Sequence, residues 1–424
     1  MTDADSGGAE PADTAEPEAT PLLAPADGVP PVSVTPYEIK QAADLLASGH
    51  GSFAVDAERA SGFRYSNRAY LVQIRRDGAG TVLIDPVYHG ADTLTTMAPI
   101  AEVLSTDEWV LHAADQDLPC LAEIGMRPTK LYDTELAGRL AGFDRVNLAT
   151  MVERLLGLGL KKGHGAADWS KRPLPPEWLN YAALDVEVLI ELENAIAGVL
   201  EEQGKSEWAA QEFEYLRTFE AAPTRRDRWR RTSGIHKVRD RRAMAAVREL
   251  WTTRDHIARR RDIAPGRILP DSAIVSAASA DPKSVEELTA LPIFGGSKQR
   301  RSAQVWLDAL SRARDNADQP EVSEPQNGPP PASRWARRKP EAAARLEAAR
   351  AGLAELSGRV TVPAENLVTP ETVRRLCWDW QQTGDTETAV DDFLREAEAR
   401  PWQRQLVVPV LAAALDGSTP PATE

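Results

Sequence analysis

The residues of this chain whose types and spacing could do chemistry are carboxylates. In Phe53-Ala-Val-Asp56-Ala-Glu58 the apolar run reads as a strand, and its period of two puts Asp56 and Glu58 on one face. Two unpaired anions on a core strand repel each other and lose hydration, and a divalent cation between them removes both costs. An edge strand with a solvated acidic face is the alternative at this point. Asp-x-Glu recurs at Asp133/Glu135, Asp185/Glu187 and Asp385/Glu387, but in helical patterns, where i and i+2 do not share a face. A helix is expected to begin at Pro175-Pro176, with Leu179, Val186, Leu189 and Ile190 as its apolar stripe. Tyr181 and Asp185 lie at the edge of that stripe, one turn or about 6 Å apart, within reach of a shared water. A further acid follows the run Trp109–His112, in His112-Ala-Ala-Asp115-Gln-Asp117. An N-cap or first-turn role explains either Asp115 or Asp117 but hardly both. Asp117 lies beyond the strand's carboxyl end, where α/β sheets place their sites.

What could bind between these acids is bounded by composition. Only Cys120 and Cys377 are present, and the six His residues show no pairing at i and i+4. Disulfide frameworks and cysteine metal clusters are excluded, and any metal here has oxygen ligands, which means a hard ion such as Mg²⁺ or Mn²⁺. The 424 residues suffice for two or three domains. The formal net charge is −14, and the first 36 residues hold seven acids, Asp3 to Asp27, and no Lys or Arg. That opening, rich in Pro, Ala and Thr, reads as a disordered acidic tail over 1–36. It has no basic or apolar stretch of a signal peptide, and no run elsewhere would span a bilayer, which points to a soluble cytoplasmic protein.

The elements that must position the acids can be placed from periodicity. After a short helix at 37–48, Phe53–Glu58, Ala69–Ile74 and Thr81–Asp85 read as strands joined by short turns, hence antiparallel neighbours. A helix near 91–104 precedes the fourth strand, 109–112, and helical patterns follow at 115–124, 130–141, 147–157 and 176–203. This is an α/β domain over 37–218 with a mixed sheet covered by helices. The next segment, 219–315, opens with a basic run: Arg225, Arg226, Arg228, Trp229, Arg230, Arg231, Lys237 and Arg239, extended by Arg254, Arg259, Arg260, Arg261 and Arg267. Its interleaved Trp229 and the contrast with the acidic tail favour phosphate binding over a merely solvated linker. A Pro-rich linker, 316–333, separates it from a second helical module, 334–416, and a short tail, 417–424.

Together these motifs carry a resemblance. Asp56-x-Glu58 on a first strand, His112-x4-Asp117-Leu after a later one, and Tyr181-x3-Asp185 preceded by Asp168-Trp169-Ser-Lys-Arg172-Pro-Leu resemble the three exonuclease motifs of ribonuclease D, in the DEDD superfamily with a Tyr in the third motif. Arg267-Ile-Leu-Pro-Asp-Ser-Ala-Ile with Leu288 to Gly296 is similar to an HRDC domain, and Arg400-Pro-Trp-Gln-Arg-Gln-Leu-Val to the second helical module of bacterial ribonuclease D. The resemblance implies a ribonuclease H-like fold followed by two HRDC-type domains. It also implies two-metal 3′→5′ hydrolysis of RNA with a single-stranded 3′ end, such as transfer RNA precursors. Asp56, Glu58, Asp117 and Asp185 would be the ligands of two divalent cations, and Tyr181 would orient the water. Arg59 stands where the family usually has an apolar or aromatic residue. DNA exonuclease activity on the same fold, and a non-catalytic nucleic-acid-binding module, are the alternatives. No protein partner is evident from the sequence.

Overall fold

The runs rich in Val, Ile and Leu make the centre of a six-stranded sheet. The computed structural model describes residues 19–161, 163–218, 227–322, 328–381 and 384–417. Its strands are β1 (Thr20–Leu22), β2 (Val32–Ser33), β3 (His50–Arg59), β4 (Ala69–Asp77), β5 (Gly80–Ile84), β6 (Glu108–Leu111), β7 (Lys130–Asp133) and β8 (Leu158–Leu160). The sheet order is β2-β5-β4-β3-β6-β7, while β1 and β8 pair separately and in parallel. β3, β4 and β5 are antiparallel, as their short connections require, and β6 and β7 continue in parallel from β3. The β4–β5 turn closes through Gly78 and Gly80, at φ 78° and 77°, which glycine adopts without a Cβ clash.

Helices cover both faces. They are α1 (Pro36–Ser48), α2 (Thr93–Leu104), α3 (Leu118–Glu123), α4 (Thr134–Leu140), α5 (Leu148–Leu156), α6 (Pro176–Glu187), α7 (Leu189–Glu202) and α8 (Ser206–Thr218). α1 begins at a reciprocal cap between Thr35 and Glu38. Ile39, Leu46, Met97, Ile100 and Leu104 close over Phe53, Val55, Val72 and Ile74 on one face. On the other, Ala182 and Ala183 of α6 meet Tyr70 and Leu71, and Val186, Leu189 and Ile190 meet Ala54 and Val110. The small residues let α6 lie close to the strand that carries Asp56 and Glu58.

Several expectations are corrected. The tail read as disordered through residue 36 is structured from Thr20: β1 pairs with β8 and β2 with β5, Ala26 N–H donates to Glu187 Oε1 at 3.1 Å, and Asp27 pairs with Arg75. Composition could not reveal that distant strands complete these short pieces. Residues 1–18 lie outside the described residues, as do 418–424 of the closing tail. The helix expected over 130–141 is β7 followed by α4, because Asp133 ends the strand and caps the helix, accepting from Glu135 and Leu136 N–H. The helix expected over 176–203 is two, breaking at Val188. That expected at 115–124 is a single 3₁₀ turn and then α3.

Beyond residue 227, α9 (Arg241–Arg261) and shorter helices to Asp315 enclose Leu250, Ile274, Phe294 and Trp306. A second bundle runs from Trp335 to Asp416, and its Leu346, Leu353, Val407 and Leu411 share one apolar cluster with Met151, Leu192 and Phe213 of α5, α7 and α8. Polar ties secure that junction, since Glu212 Oε1 accepts from Arg400 Nε at 2.6 Å and Trp402 Nε1 at 2.8 Å. Among the described residues no helix is long and apolar enough to cross a membrane.

Candidate active site

Asp56 and Glu58 face the same side of β3, opposite Gln73 and Leu71 of β4, and α6 crosses that side carrying Asp185. One carboxylate oxygen each from Asp56, Glu58 and Asp185 lies within 4.8 Å of the others, the spacing of ligands around a single ion. Asp117 comes from the loop after β6. It occupies the N-cap position of α3 but makes no capping hydrogen bond; it is buried, hydrogen-bonded to Asp56, and its Oδ1 is 3.3 Å from Arg59 Nη2. Asp115 is exposed, so burial decides between the two aspartates that the sequence left open. A residue not suspected from sequence sets this loop's course. Asp133 accepts from the N–H groups of Ala113 at 3.2 Å and Ala114 at 2.8 Å, holding Ala113 in a left-handed conformation with φ 59°. The chain then turns back, so that Asp117 faces the other acids.

All four carboxylates have raised pKa values, three of them partly through the charge of their neighbours. Burial is the main cause in each case. It raises Asp56, and with the charges of Asp56, Asp185 and Asp117 it pushes Glu58 up to about 10. Asp117 and Asp185 are also held well above the usual carboxylate range by burial and then by the charge of Asp56. Hard oxygen donors crowded against their own charge fit a divalent cation. His112 is kept neutral, its pKa lowered to about 4 by burial, with Nδ1 2.9 Å from Thr134 Oγ1.

Tyr181 hydrogen-bonds Asp185 from the same helix, and burial, then the neighbouring acids, raise its hydroxyl pKa. The loop between β8 and α6 lies against its ring. A Cβ on Gly163 would fall 1.8 Å from Tyr181 Cδ2, so only glycine allows this approach. The Asp168 to Leu174 lead-in clamps that loop. Trp169 is fully buried against Trp178, with ring centroids 5.2 Å apart, and donates from Nε1 to His164 O at 3.2 Å. Arg172 reaches the sheet, donating from Nε to the buried Asp85 Oδ2 at 2.5 Å and from Nη2 to Tyr70 O at 2.8 Å. A cavity of about 240 Å³ opens beside the acids, lined by Asp56, Asp185, Tyr181, His112, Lys161 and Gly163 among others. Sequence reasoning missed Gly163 and Lys161; the Gly163-His-Gly165 spacing ahead of Trp169 was the available signal.

The basic residues divide. Arg225 and Arg226 lie outside the described residues. Arg228, Arg231, Lys237, Arg239, Arg259, Arg260 and Arg261 are exposed, and Arg230 is half-buried, donating to Glu321 O. Trp229 is corrected: it is 4% exposed, packed in the bundle core and hydrogen-bonded to Asp227, so it presents no stacking face. Arg254 is likewise buried, in an ion pair with Asp271. The end of α9 docks on the β3–β4 loop. Asp262 accepts from Tyr65 and Ser66 N–H, Ala264 N–H donates to Phe63 O, and Arg267 Nε donates to Gly62 O at 2.7 Å. Arg259 to Arg261 therefore stand beside the loop that leaves the acid-bearing strand.

This sheet, with acids on its central strand and on a crossing helix, defines a 3′–5′ exonuclease. Family models agree: 3′-5′ exonuclease over residues 33–201, HRDC domain over 243–310, and 3′ to 5′ exonuclease C-terminal domain over 328–415. The chain is 32% identical over 310 residues to ribonuclease D of Acidiphilium cryptum, covering 70% of this chain and 76% of that one. It is 28% identical to ribonuclease D of Nitrobacter hamburgensis over 336 residues, 77% and 80% of the two chains. The chain belongs to the ribonuclease D family and is a 3′→5′ exoribonuclease. Among solved structures, a protein from Bifidobacterium adolescentis matches with a TM-score of 0.85 at 38% identity, covering 94% of this chain and 100% of that one. Escherichia coli RNase D shares the fold, with a TM-score of 0.64 at 23% identity over 91% and 98%.

Proposed function

We propose that this exoribonuclease trims single-stranded 3′ ends of structured RNAs, transfer RNA precursors among them, releasing nucleoside monophosphates. In this reading Asp56, Glu58, Asp117 and Asp185 hold two divalent cations, Mg²⁺ or Mn²⁺. The convergence of three carboxylate oxygens within 4.8 Å carries the proposal. Such a cation pair, when bound, supplies Lewis acidity and neutralises charge at the phosphate being cleaved. Tyr181 keeps its proton at neutral pH, donates to Asp185, and uses its remaining lone pair to orient a water. The clamped 163–172 loop holds the phenol in place, and the small cavity receives a chain end rather than a duplex. Escherichia coli RNase D, an exoribonuclease involved in structured RNA processing, supports the substrate class through its likeness in fold.

Affinity for the body of the RNA is assigned to the exposed Arg259, Arg260 and Arg261, next to the active-site loop, and to Arg228, Arg231, Lys237 and Arg239 on the same bundle. Phosphate contacts of this kind weaken steeply with salt. The proposal places the enzyme in the cytoplasm. The test incubates a 5′-labelled RNA with a single-stranded 3′ extension, and matched DNA, with Mg²⁺, Mn²⁺ or chelator. A metal-dependent ladder shrinking from the 3′ end of RNA, absent in Asp56→Ala and Asp185→Ala, is expected. Equal degradation of DNA would remove the RNA preference, and turnover near wild type in either variant would refute the ligand set.

A further inference from the structure

Arg59 follows Glu58 directly on β3, and strict alternation would turn its side chain away from the acids. The ladder slips at this point: Glu58 stands opposite Leu71 but Arg59 opposite Ala69. Such irregularities re-aim side chains. The guanidinium ends 3.3 Å from Asp117 Oδ1, and its charge favours the ionised forms of Asp56, Glu58 and Asp117. The pair is asymmetric. Asp117's side chain is 8% exposed and Arg59's 26%, so the arginine reaches in from the open side. Asp117 Oδ1 accepts no hydrogen bond, so the contact is one of charge alone, without the forked geometry that makes arginine–carboxylate pairs strong.

A guanidinium and a divalent cation compete for this carboxylate, because two positive charges about 4 Å apart in a water-poor site repel. A phosphodiester, by contrast, shares its negative charge between two oxygens that a guanidinium can engage as a fork, which Arg59 does not do on Asp117. We propose that Arg59 is the resident counter-charge of Asp117, which the second divalent cation must displace, and that the phosphate of the RNA 3′ end draws Arg59 away. The second cation then binds tightly only together with the chain end. This inference rests on the reading of Asp117 as a cation ligand. It makes Arg59 a positioning residue that couples loading of the site to arrival of substrate.

The test counts bound Mn²⁺ by electron paramagnetic resonance on the full chain, with and without adenosine 5′-monophosphate as the phosphate probe. Wild type should bind one Mn²⁺ tightly alone, and a second when the nucleotide is present. Arg59→Met and Arg59→Gln should bind two without nucleotide, the second about tenfold more tightly than wild type does. Arg59→Lys, which keeps the charge, should restore the wild-type pattern. Curves for Arg59→Met and Arg59→Gln that coincide with wild type, nucleotide dependence included, would overturn the role of Arg59 and leave the ligand set standing. Failure of wild type to bind any Mn²⁺ under either condition would overturn the ligand set, and this proposal with it.

Discussion

Replacing Glu58 with Gln is expected to stabilise the metal-free protein while removing its activity. Burial, then the charges of Asp56, Asp185 and Asp117, moves the Glu58 carboxyl from 4.5 to about 10. In the unfolded chain that carboxyl ionises freely above 4.5, so at pH 7.5 the folded state carries a penalty spanning three pH units. At about 1.36 kcal/mol per unit this is roughly 4 kcal/mol. The sign follows from the raised folded value: the contribution to stability is intact below 4.5 and falls as the pH climbs towards about 10. Gln has no such slope. The other acids repel one another in the same way, so one substitution relieves only part of the load, and roughly 4 kcal/mol is a ceiling. Thermal unfolding in chelator should place Glu58→Gln some 5–10 °C above wild type at pH 7.5, roughly, with the gap closing near pH 5. Mg²⁺ or Mn²⁺ should raise the wild-type midpoint more than the variant's, because only the intact set binds it fully. A variant no more stable than wild type at pH 7.5, or a gap indifferent to pH, would refute the view that these acids are held together against their own repulsion.

Other consequences are as direct. Gly163→Ala should lower kcat at least about tenfold with unchanged circular dichroism, since the new methyl meets the Tyr181 ring and shifts either the phenol or its loop. Tyr181→Phe should lower kcat by about 10- to 100-fold while leaving Mn²⁺ stoichiometry unchanged, because in the proposed mechanism the phenol orients water and does not hold the ions. Arg172→Met leaves the buried Asp85 without its partner and should cost about 3 kcal/mol in denaturant unfolding. Burial lowers Lys205 to about 8, where it donates to Leu140 O and Thr361 Oγ1 across the junction with the second bundle. Because the unfolded lysine keeps its proton to about 10.5, wild-type stability should rise between pH 8 and 10.5, and Lys205→Met should lack that rise.

Much of the site was legible because its chemistry is written in local spacing. A period of two aligns Asp56 with Glu58, and one helical turn aligns Tyr181 with Asp185, whatever the rest of the chain does. The antiparallel strands β3 to β5 were equally readable, since their turns are too short for any other pairing. Asp133 was misread for the converse reason. Its neighbours have a helical pattern, and only the pairing of β7 with β6 makes it the end of a strand whose carboxylate shapes the turn before Asp117. Trp229 shows the limit of composition, because an aromatic among arginines reads alike whether it stacks on a base or fills a core.

The sequence by itself determined the groups on offer: carboxylates in pairs, one phenol, and a basic module to follow. Tertiary structure decided which acids belong together, burying Asp117 while exposing Asp115, and it decided what surrounds them. It brought Gly163 under the Tyr181 ring, tied Arg172 to Asp85 across the sheet, and set Arg59 on Asp117 through a slip in register. The physical reason is range. Spacing along a strand or helix is fixed by backbone geometry over a few residues, whereas burial and charge pairing depend on segments that meet only when the sheet is covered.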